Sequence, residues 1–161
     1  MVERLFTPWR LSYVTNEVDA PGCALCRARD GVDEAERLVV HRATACFVVM
    51  NLYPYTGGHV MVTPMRHIGS LGEATPEELS EMMSLTRRLE AVYREVYRPD
   101  GLNVGMNLGR AAGAGIADHI HLHVVPRWSG DTNFMTVVSD TRVIPEEPEA
   151  ACLCLRPHFE R

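Results

Sequence analysis

Five short apolar runs bounded by turn-forming residues recur along the chain between residues 37 and 126. Runs of this kind, bounded by Gly, Pro, Asn or Asp, are typical of β-strands. A loop is predicted over residues 51–58, where Pro54 and the pair Gly57-Gly58 interrupt regular structure. The predicted strands are Arg37–His41, Ala45–Met50, His59–Pro64, Leu102–Asn107 and His119–Pro126, of which the first two read as an antiparallel pair.

One long segment has helical periodicity instead. Thr75 supplies an N-cap hydroxyl, Pro76 takes the first helical position and Glu78 completes a capping-box pattern. Apolar residues then recur at steps of three and four, which gives the segment one apolar face. The pattern predicts a helix from Pro76 to Tyr97, ended by the turn residues that follow. Together with the strands, it predicts an α+β domain with an antiparallel sheet.

The chain divides into an N-terminal arm (residues 1–22), one central domain (23–128) and a C-terminal extension (129–161). The arm carries Phe6, Trp9 and Tyr13, which are residue types favoured at protein interfaces. We see no internal repeat, so a single domain with decorated ends is expected.

Composition narrows the classes of function. The 161 residues are 46% hydrophobic and 23% charged, with a formal net charge of −5, so the chain is a poor candidate for coating nucleic acid or an anionic membrane. All 16 cationic side chains are Arg, which excludes Schiff-base chemistry and a P-loop Lys. We find no bilayer-spanning run or signal peptide and expect a cytoplasmic protein, whose five Cys are then thiols or metal ligands.

Three of the seven His fall at alternate positions: His119, His121 and His123. Because side chains alternate between the faces of a strand, the three imidazoles are expected on one open face and the intervening apolar residues in the core. Such a row could be surface histidines, a metal site or a catalytic site. The pattern favours nucleophilic catalysis at phosphorus, since a neutral imidazole is a good nucleophile near neutral pH and its neighbours can donate protons.

The segment from His119 to Val125, followed by Pro126-Arg127, resembles the signature of the histidine triad (HIT) superfamily of nucleotide hydrolases and transferases. Two further segments, 51–64 and 107–115, resemble other motifs of that family, and the likeness spans residues 23–128. Within the superfamily, the chain is most similar to bacterial diadenosine tetraphosphate phosphorylase/hydrolase-like proteins. The sequences that carry this narrower resemblance are Asn-Leu-Tyr-Pro-Tyr, Ala-Gly-Ala-Gly and His-Val-Val-Pro-Arg-Trp.

The resemblance implies a five-stranded antiparallel sheet with two helices, joined to a second sheet in a homodimer or a dimer of dimers. It implies that His121 attacks the α-phosphorus of a dinucleoside polyphosphate, forming a nucleotidyl-histidine intermediate that water or phosphate then resolves. His123 would contact the α-phosphate and the leaving oxygen, and His119 would orient its neighbours unless a metal binds it. No organic cofactor is implied.

The same resemblance implies that Asn51 and Asn107 hold ribose and phosphate, and that His59 supports the triad. The loop Gly113-Ala114-Gly115 is expected to bind phosphate through backbone N–H groups, which approach closely where glycine has no side chain. This loop departs from the common family pattern. One extra residue separates it from His119, and Gly115 stands where Ser or Thr is usual.

Cys23 and Cys26 have the spacing of half a zinc site. Either they are two reduced thiols or two further ligands complete the site. The resemblance implies that His67 and His119 complete a structural zinc site, because several HIT proteins and the related galactose-1-phosphate uridylyltransferases do so at these positions. Cys46 is expected in the core, and the Cys152/Cys154 pair has no assigned role.

Two other functions stay open on the sequence. One is a nucleoside phosphoramidase, which shares the chemistry but accepts P–N bonds. The other is a nucleotide-binding protein that has lost turnover, although the intact triad and the Asn51/Asn107 pair argue against it. The nucleotide is the expected small-molecule partner in every case.

Overall fold

The computed structural model describes residues 22–31, 38–138 and 143–160. The predicted aromatic arm, with Phe6, Trp9 and Tyr13, lies outside the described residues. The strands are β1 (Val39–Arg42), β2 (Cys46–Met50), β3 (Val60–Pro64), β4 (Gly101–Met106) and β5 (Leu122–Arg127). The described helices are α1 (Ala24–Asp30), α2 (Pro76–Val96), α3 (Phe134–Val138) and α4 (Pro148–Leu155).

The five strands form one antiparallel sheet in the order β1-β2-β3-β5-β4. Strand β5 therefore lies between β3 and β4, where both of its neighbours can place side chains beside its own. Strand β4 forms one edge of the sheet. The predicted α+β class and the five-stranded antiparallel sheet are confirmed, and β2, β3 and β4 begin within a residue of their predicted starts.

Helix α2 covers one face of the sheet. The predicted capping box is present, since the N–H of Glu78 donates to Thr75 Oγ1 and the N–H of Thr75 donates to the Glu78 carboxylate. The helix buries the apolar side chains Met82, Leu85, Leu89, Val92 and Tyr93. Leu79 and Met83 fit the same three- and four-residue spacing but are exposed, because they lie at the margin of the stripe that contacts the sheet.

The C-terminal extension packs against the same sheet. Helix α4 begins with Pro148 at its first helical position and contacts β1, β2 and α2. Cys152 and Leu155 are completely buried in the core, whereas Cys154 points to solvent on the other side of the helix. The described cysteines are all free thiols. Among the described residues, none of the helices is both long and apolar enough to cross a membrane.

Candidate active site and metal centre

The histidine segment is not one continuous strand. Strand β5 begins at Leu122, so only His123 lies within it, and His119 and His121 occupy the stretch just before. The prediction of a strand from His119 was therefore wrong at its first three residues. Ahead of β5, the N–H of Ile120 donates to the carbonyl of Ile68 at 2.8 Å, outside the regular β3–β5 pairing.

The prediction that all three imidazoles lie on an open face is also wrong for two of them. His119 is fully buried and His121 is 3% exposed, while His123 is partly exposed. The cause for His119 is the Cys23 turn and His67, which cover it. The other half of the prediction is confirmed, because the intervening Ile120, Leu122 and Val124 are all buried.

One backbone contact determines which nitrogen of His121 carries a proton. Its Nδ1 lies 2.8 Å from the carbonyl oxygen of His119, and a carbonyl can only accept. Nδ1 of His121 therefore carries the hydrogen. In the neutral ring the lone pair then belongs to Nε2, which is the atom required for a nucleophile.

A second chain of contacts fixes His123 in the complementary form. The backbone N–H of Tyr55 donates to His59 Nδ1 at 3.1 Å, so His59 carries its hydrogen on Nε2. This Nε2 lies 3.0 Å from His123 Nδ1, which must accept. Neutral His123 then holds its own proton on Nε2. The rings of His121 and His123 are 4.9 Å apart between centroids and meet edge to face.

Burial keeps the imidazoles of His59, His119 and His121 neutral. It lowers the pKa of His59 to about 3, with smaller effects from His123 and His121. Burial likewise lowers the pKa of His121 and of His119 below the usual histidine value, and in each ring a hydrogen bond to a backbone carbonyl offsets part of the effect. A neutral His121 is the form that can act as a nucleophile at neutral pH.

Tyr55 is a site residue that the sequence reasoning missed. Its ring stacks on that of His59 with centroids 4.9 Å apart, and its N–H sets the tautomer of His59. The next residue, Thr56, is buried and its hydroxyl donates to the carbonyl of Pro126 at 2.9 Å, which ties the loop to β5. The Tyr-Pro-Tyr sequence marked this loop, but which of its side chains reaches the triad depends on the fold.

The predicted substrate residues lie along two sides of the triad. Asn51 and Gly115 line a cavity of about 580 Å³ between α1, the end of β2 and the glycine-rich loop. Asn107 lines a separate groove on the β4 side, together with His123. The structure therefore does not place Asn51 and Asn107 against a common cavity. Asn107 shares its groove with His123, while Asn51 reaches the triad through His59, whose ring nitrogens lie within 3.5 Å of Asn51 Nδ2.

The glycine-rich loop is more self-contained than we expected. Gly113 has a φ of +91°, a conformation that favours glycine, but its N–H donates to the carbonyl of Arg110. The N–H of Ala114 donates to Gly109 in the same way, and the Ala114 side chain is buried. Two of the three expected amides thus hold the loop together, and Gly115 is the member that borders the cavity.

The four predicted metal ligands converge. The ligand atoms of Cys23, Cys26, His67 and His119 all lie within 4.8 Å of one another. His119 Nδ1 is 3.4 Å from Cys23 Sγ and 3.6 Å from Cys26 Sγ, and His67 Nδ1 is 3.3 Å from Cys26 Sγ. A tetrahedral zinc ion with ordinary Zn–S and Zn–N bonds separates S from N by about 3.6 Å. The donor set and its spacing therefore fit zinc.

A backbone contact orients His119 towards the cysteines. His119 Nε2 donates to the carbonyl of Pro64 at 2.9 Å, which leaves the lone pair on Nδ1, the atom that faces the sulfurs. The residue before His67 is equally constrained, because Arg66 donates to both carboxylate oxygens of Glu78 at 2.8 and 2.7 Å. The site thereby connects the Cys23 turn, the segment after β3 and the triad.

Comparison with known proteins agrees with this geometry. A family model of the HIT domain matches residues 32–130. The chain belongs to the HIT family. This HIT protein is 41% identical over 153 residues to the AP-4-A phosphorylase of Mycobacterium tuberculosis, an alignment that covers 90% of this chain and 78% of that protein. The family resemblance seen in the sequence is confirmed.

Two further relatives are informative. The HIT protein is 32% identical over 93 residues to the asymmetrical bis(5'-nucleosyl)-tetraphosphatase of Schizosaccharomyces pombe, covering 58% of this chain and 50% of that one. The crystal structure of a zinc-bound histidine triad family protein from Mycobacterium smegmatis superposes with a TM-score of 0.70 at 29% identity. That superposition covers 86% of this chain and 94% of the other.

Proposed function

We propose that this HIT protein cleaves dinucleoside polyphosphates of the diadenosine tetraphosphate type at the α-phosphorus, with inorganic phosphate as the preferred acceptor. The observation that carries the proposal is the pair of fixed tautomers, in which neighbouring imidazoles present a lone pair on His121 Nε2 and a proton on His123 Nε2. The similarity to an AP-4-A phosphorylase supports the substrate class and the acceptor.

In the first step, the lone pair of His121 Nε2 attacks the α-phosphorus and a P–N bond forms. The P–O bond to the leaving polyphosphate breaks, and His123 Nε2–H gives its proton to the departing oxygen. As His121 becomes cationic, its Nδ1–H bond to the His119 carbonyl strengthens, which stabilises the intermediate.

In the second step, an oxygen of the acceptor attacks the same phosphorus and gives a proton to His123 Nε2 where it carries one. The P–N bond breaks and its electron pair returns to His121. The His59–His123 contact keeps Nε2 as the titrating atom in both directions. Asn51 and Gly115 would hold the transferred nucleotide in the 580 Å³ cavity, and Asn107 would contact phosphate from the opposite side.

Zinc at Cys23, Cys26, His67 and His119 would hold the α1 turn against the residues that precede β5. When bound, it would supply structural cross-linking, with no open position for substrate. His119 is then a ligand whose carbonyl orients His121. The thiols need a reducing compartment, which we take to be the cytoplasm. We further propose a homodimer or dimer of dimers joined at the exposed edge of β4.

Product analysis tests the reaction. With diadenosine tetraphosphate and phosphate, the purified protein should release ADP and ATP, and without phosphate it should release AMP and ATP more slowly. Equal rates of AMP and ATP release in both conditions would make water the acceptor. Release of no nucleotide in either condition, from folded protein, would contradict the proposed function.

A further inference from the structure

A groove of about 430 Å³ follows the triad face of the sheet away from the histidines. It begins at His123 and ends at Arg127, and neither the chemistry nor the metal centre accounts for its far half. We call it the distal groove. The lining residues that matter below are Asn103, Gly105, His123, Val125 and Arg127.

The register of β4 and β5 explains the shape of the distal groove. Gly105 pairs with His123 and Asn103 pairs with Val125, so their side-chain positions share one face with Arg127. A Cβ added at Gly105 would meet nothing within 4 Å, which leaves the groove open beside His123. His123 and Arg127 are four residues apart in a strand, or about 13 Å. The leaving half of a dinucleoside polyphosphate departs from His123 and needs a path of this scale.

Arg127 at the far end is held in a single plane. Its Nε and Nη2 donate to the two carboxylate oxygens of Asp131 at 2.5 and 3.0 Å, and its Nη1 donates to Asn103 Oδ1 at 2.6 Å. The guanidinium lowers the pKa of the Asp131 carboxyl to about 2, so the pair stays ionised at neutral pH. Nevertheless, 42% of the Arg127 side chain is exposed.

The charge balance indicates which part of a substrate fits there. Asp131 neutralises Arg127, so this end of the groove offers little attraction to an additional phosphate. A rigid, planar guanidinium is instead a good stacking partner for a nucleobase. Val125 adds apolar surface, and Asn103 carries an amide that can hydrogen-bond a sugar or a base edge.

We propose that the distal groove binds the second nucleoside, the one that leaves with the polyphosphate, and that Arg127 and Asn103 are specificity-determining residues for it. This inference rests on the proposed function. The phosphates would span the stretch beside Gly105, and the base would stack on Arg127. The protein would then distinguish substrates with two nucleosides from those with one.

Two substrates of equal phosphate number test this subsite: diadenosine tetraphosphate and adenosine 5′-tetraphosphate. Wild-type protein should have the higher kcat/KM for the first. Arg127→Leu should lower kcat/KM for diadenosine tetraphosphate about tenfold, the size of one lost stacking contact, and leave that for adenosine tetraphosphate unchanged. Asn103→Ala should also lower kcat/KM for diadenosine tetraphosphate alone. It tests the subsite by itself if Arg127→Leu does not fold.

Arg94→Leu is the matched control, because Arg94 is an exposed residue of α2 that forms an ion pair with Glu90 and does not line the distal groove. This variant should leave kcat/KM for both tetraphosphates unchanged. Wild-type protein that cleaves both tetraphosphates equally, or variants that lose both equally, would overturn the subsite while the proposed function stands. Wild-type protein that cleaves neither would overturn both.

Discussion

The Nδ1 atom of His121 lies 2.8 Å from the carbonyl oxygen of His119, a residue whose side chain faces two cysteines. The backbone of a candidate metal ligand therefore determines the tautomer of the proposed nucleophile. Because the contact is to main chain, substitutions of the His119 side chain leave it in place only if the local backbone keeps its path.

Removing the His121 imidazole should abolish turnover without unfolding the protein. His121→Ala takes away the attacking atom, so kcat for diadenosine tetraphosphate should fall by several orders of magnitude. The measurement is nucleotide release, with thermal melting as a check on the fold. His158→Ala is a matched control outside the site and should retain activity. A rate within about tenfold of wild type for His121→Ala would refute the nucleophile.

Replacing His59 should impair protonation of the leaving group. His59→Ala removes the donor to His123 Nδ1, so His123 no longer keeps its proton on Nε2. We expect kcat to fall about 10²-fold for diadenosine tetraphosphate, and much less for the p-nitrophenyl ester of AMP, whose leaving group needs no proton. Equal losses on both substrates would indicate a purely structural role for His59.

The buried His59 should also make stability depend on pH. Its pKa is about 3 in the folded protein, so between that value and the ordinary histidine pKa the unfolded chain binds a proton that the folded one does not. The contribution of neutral His59 to the free energy of unfolding is therefore fully present above pH 6.5. It falls by about 1.4 kcal/mol for each pH unit below that value, down to the folded-state pKa. Denaturant unfolding from pH 7 to 4.5 measures the slope. His59→Gln, which does not titrate, should have a shallower slope, and an identical slope would contradict the assignment.

Zinc removal should affect stability before activity. Elemental analysis of protein purified without added metal should give one zinc per chain, and chelation should lower the melting temperature. Cys26→Ser should lose the metal, whereas Cys154→Ser, at an exposed thiol of α4, should keep it. Affinity should decrease at lower pH because the thiolates become protonated. Folded, active protein with less than about a tenth of a zinc per chain would mean that the pair is two thiols.

The edge of β4 should mediate self-association. Val104 and Leu108 are 46% and 45% exposed along this edge, and an uncovered strand pairs readily with another. Sedimentation should detect a dimer or larger species at micromolar concentration. Val104→Lys should shift it towards monomer, while Met83→Lys, at an exposed position on α2, should not. Wild-type protein sedimenting as an 18.0 kDa species would refute the interface.

The strands and the long helix could be predicted because each is encoded locally. The apolar runs and the Thr75–Glu78 capping box have the same meaning in any fold. The irregular conformation of residues 119–121 could not be predicted, because alternating apolar and polar residues look the same in a strand and in the irregular stretch before one. The deciding partners, the Ile68 carbonyl and the Cys23 turn, are distant in sequence.

Helix α4 was missed for a related reason. The Cys152/Cys154 pair carried no assigned role, whereas the pattern that matters is Ala151, Cys152 and Leu155, a helical spacing that becomes meaningful only once β1 and β2 supply a surface. Pro148 at the helix start was the available signal. The Arg127–Asp131–Asn103 cluster likewise joins two strands and a turn, which no local pattern reveals.

The packing of α4 also has a consequence for the order of events during synthesis. Arg156 donates to the carbonyl of Val39 in β1, a residue 117 positions earlier, and Leu155 fills the core beside it. When β1 and β2 emerge from the ribosome, the surface that covers them has not yet been translated. The nascent sheet must keep an apolar flank open until residues 148–159 appear, so the final closure of this core follows translation of nearly all the described residues.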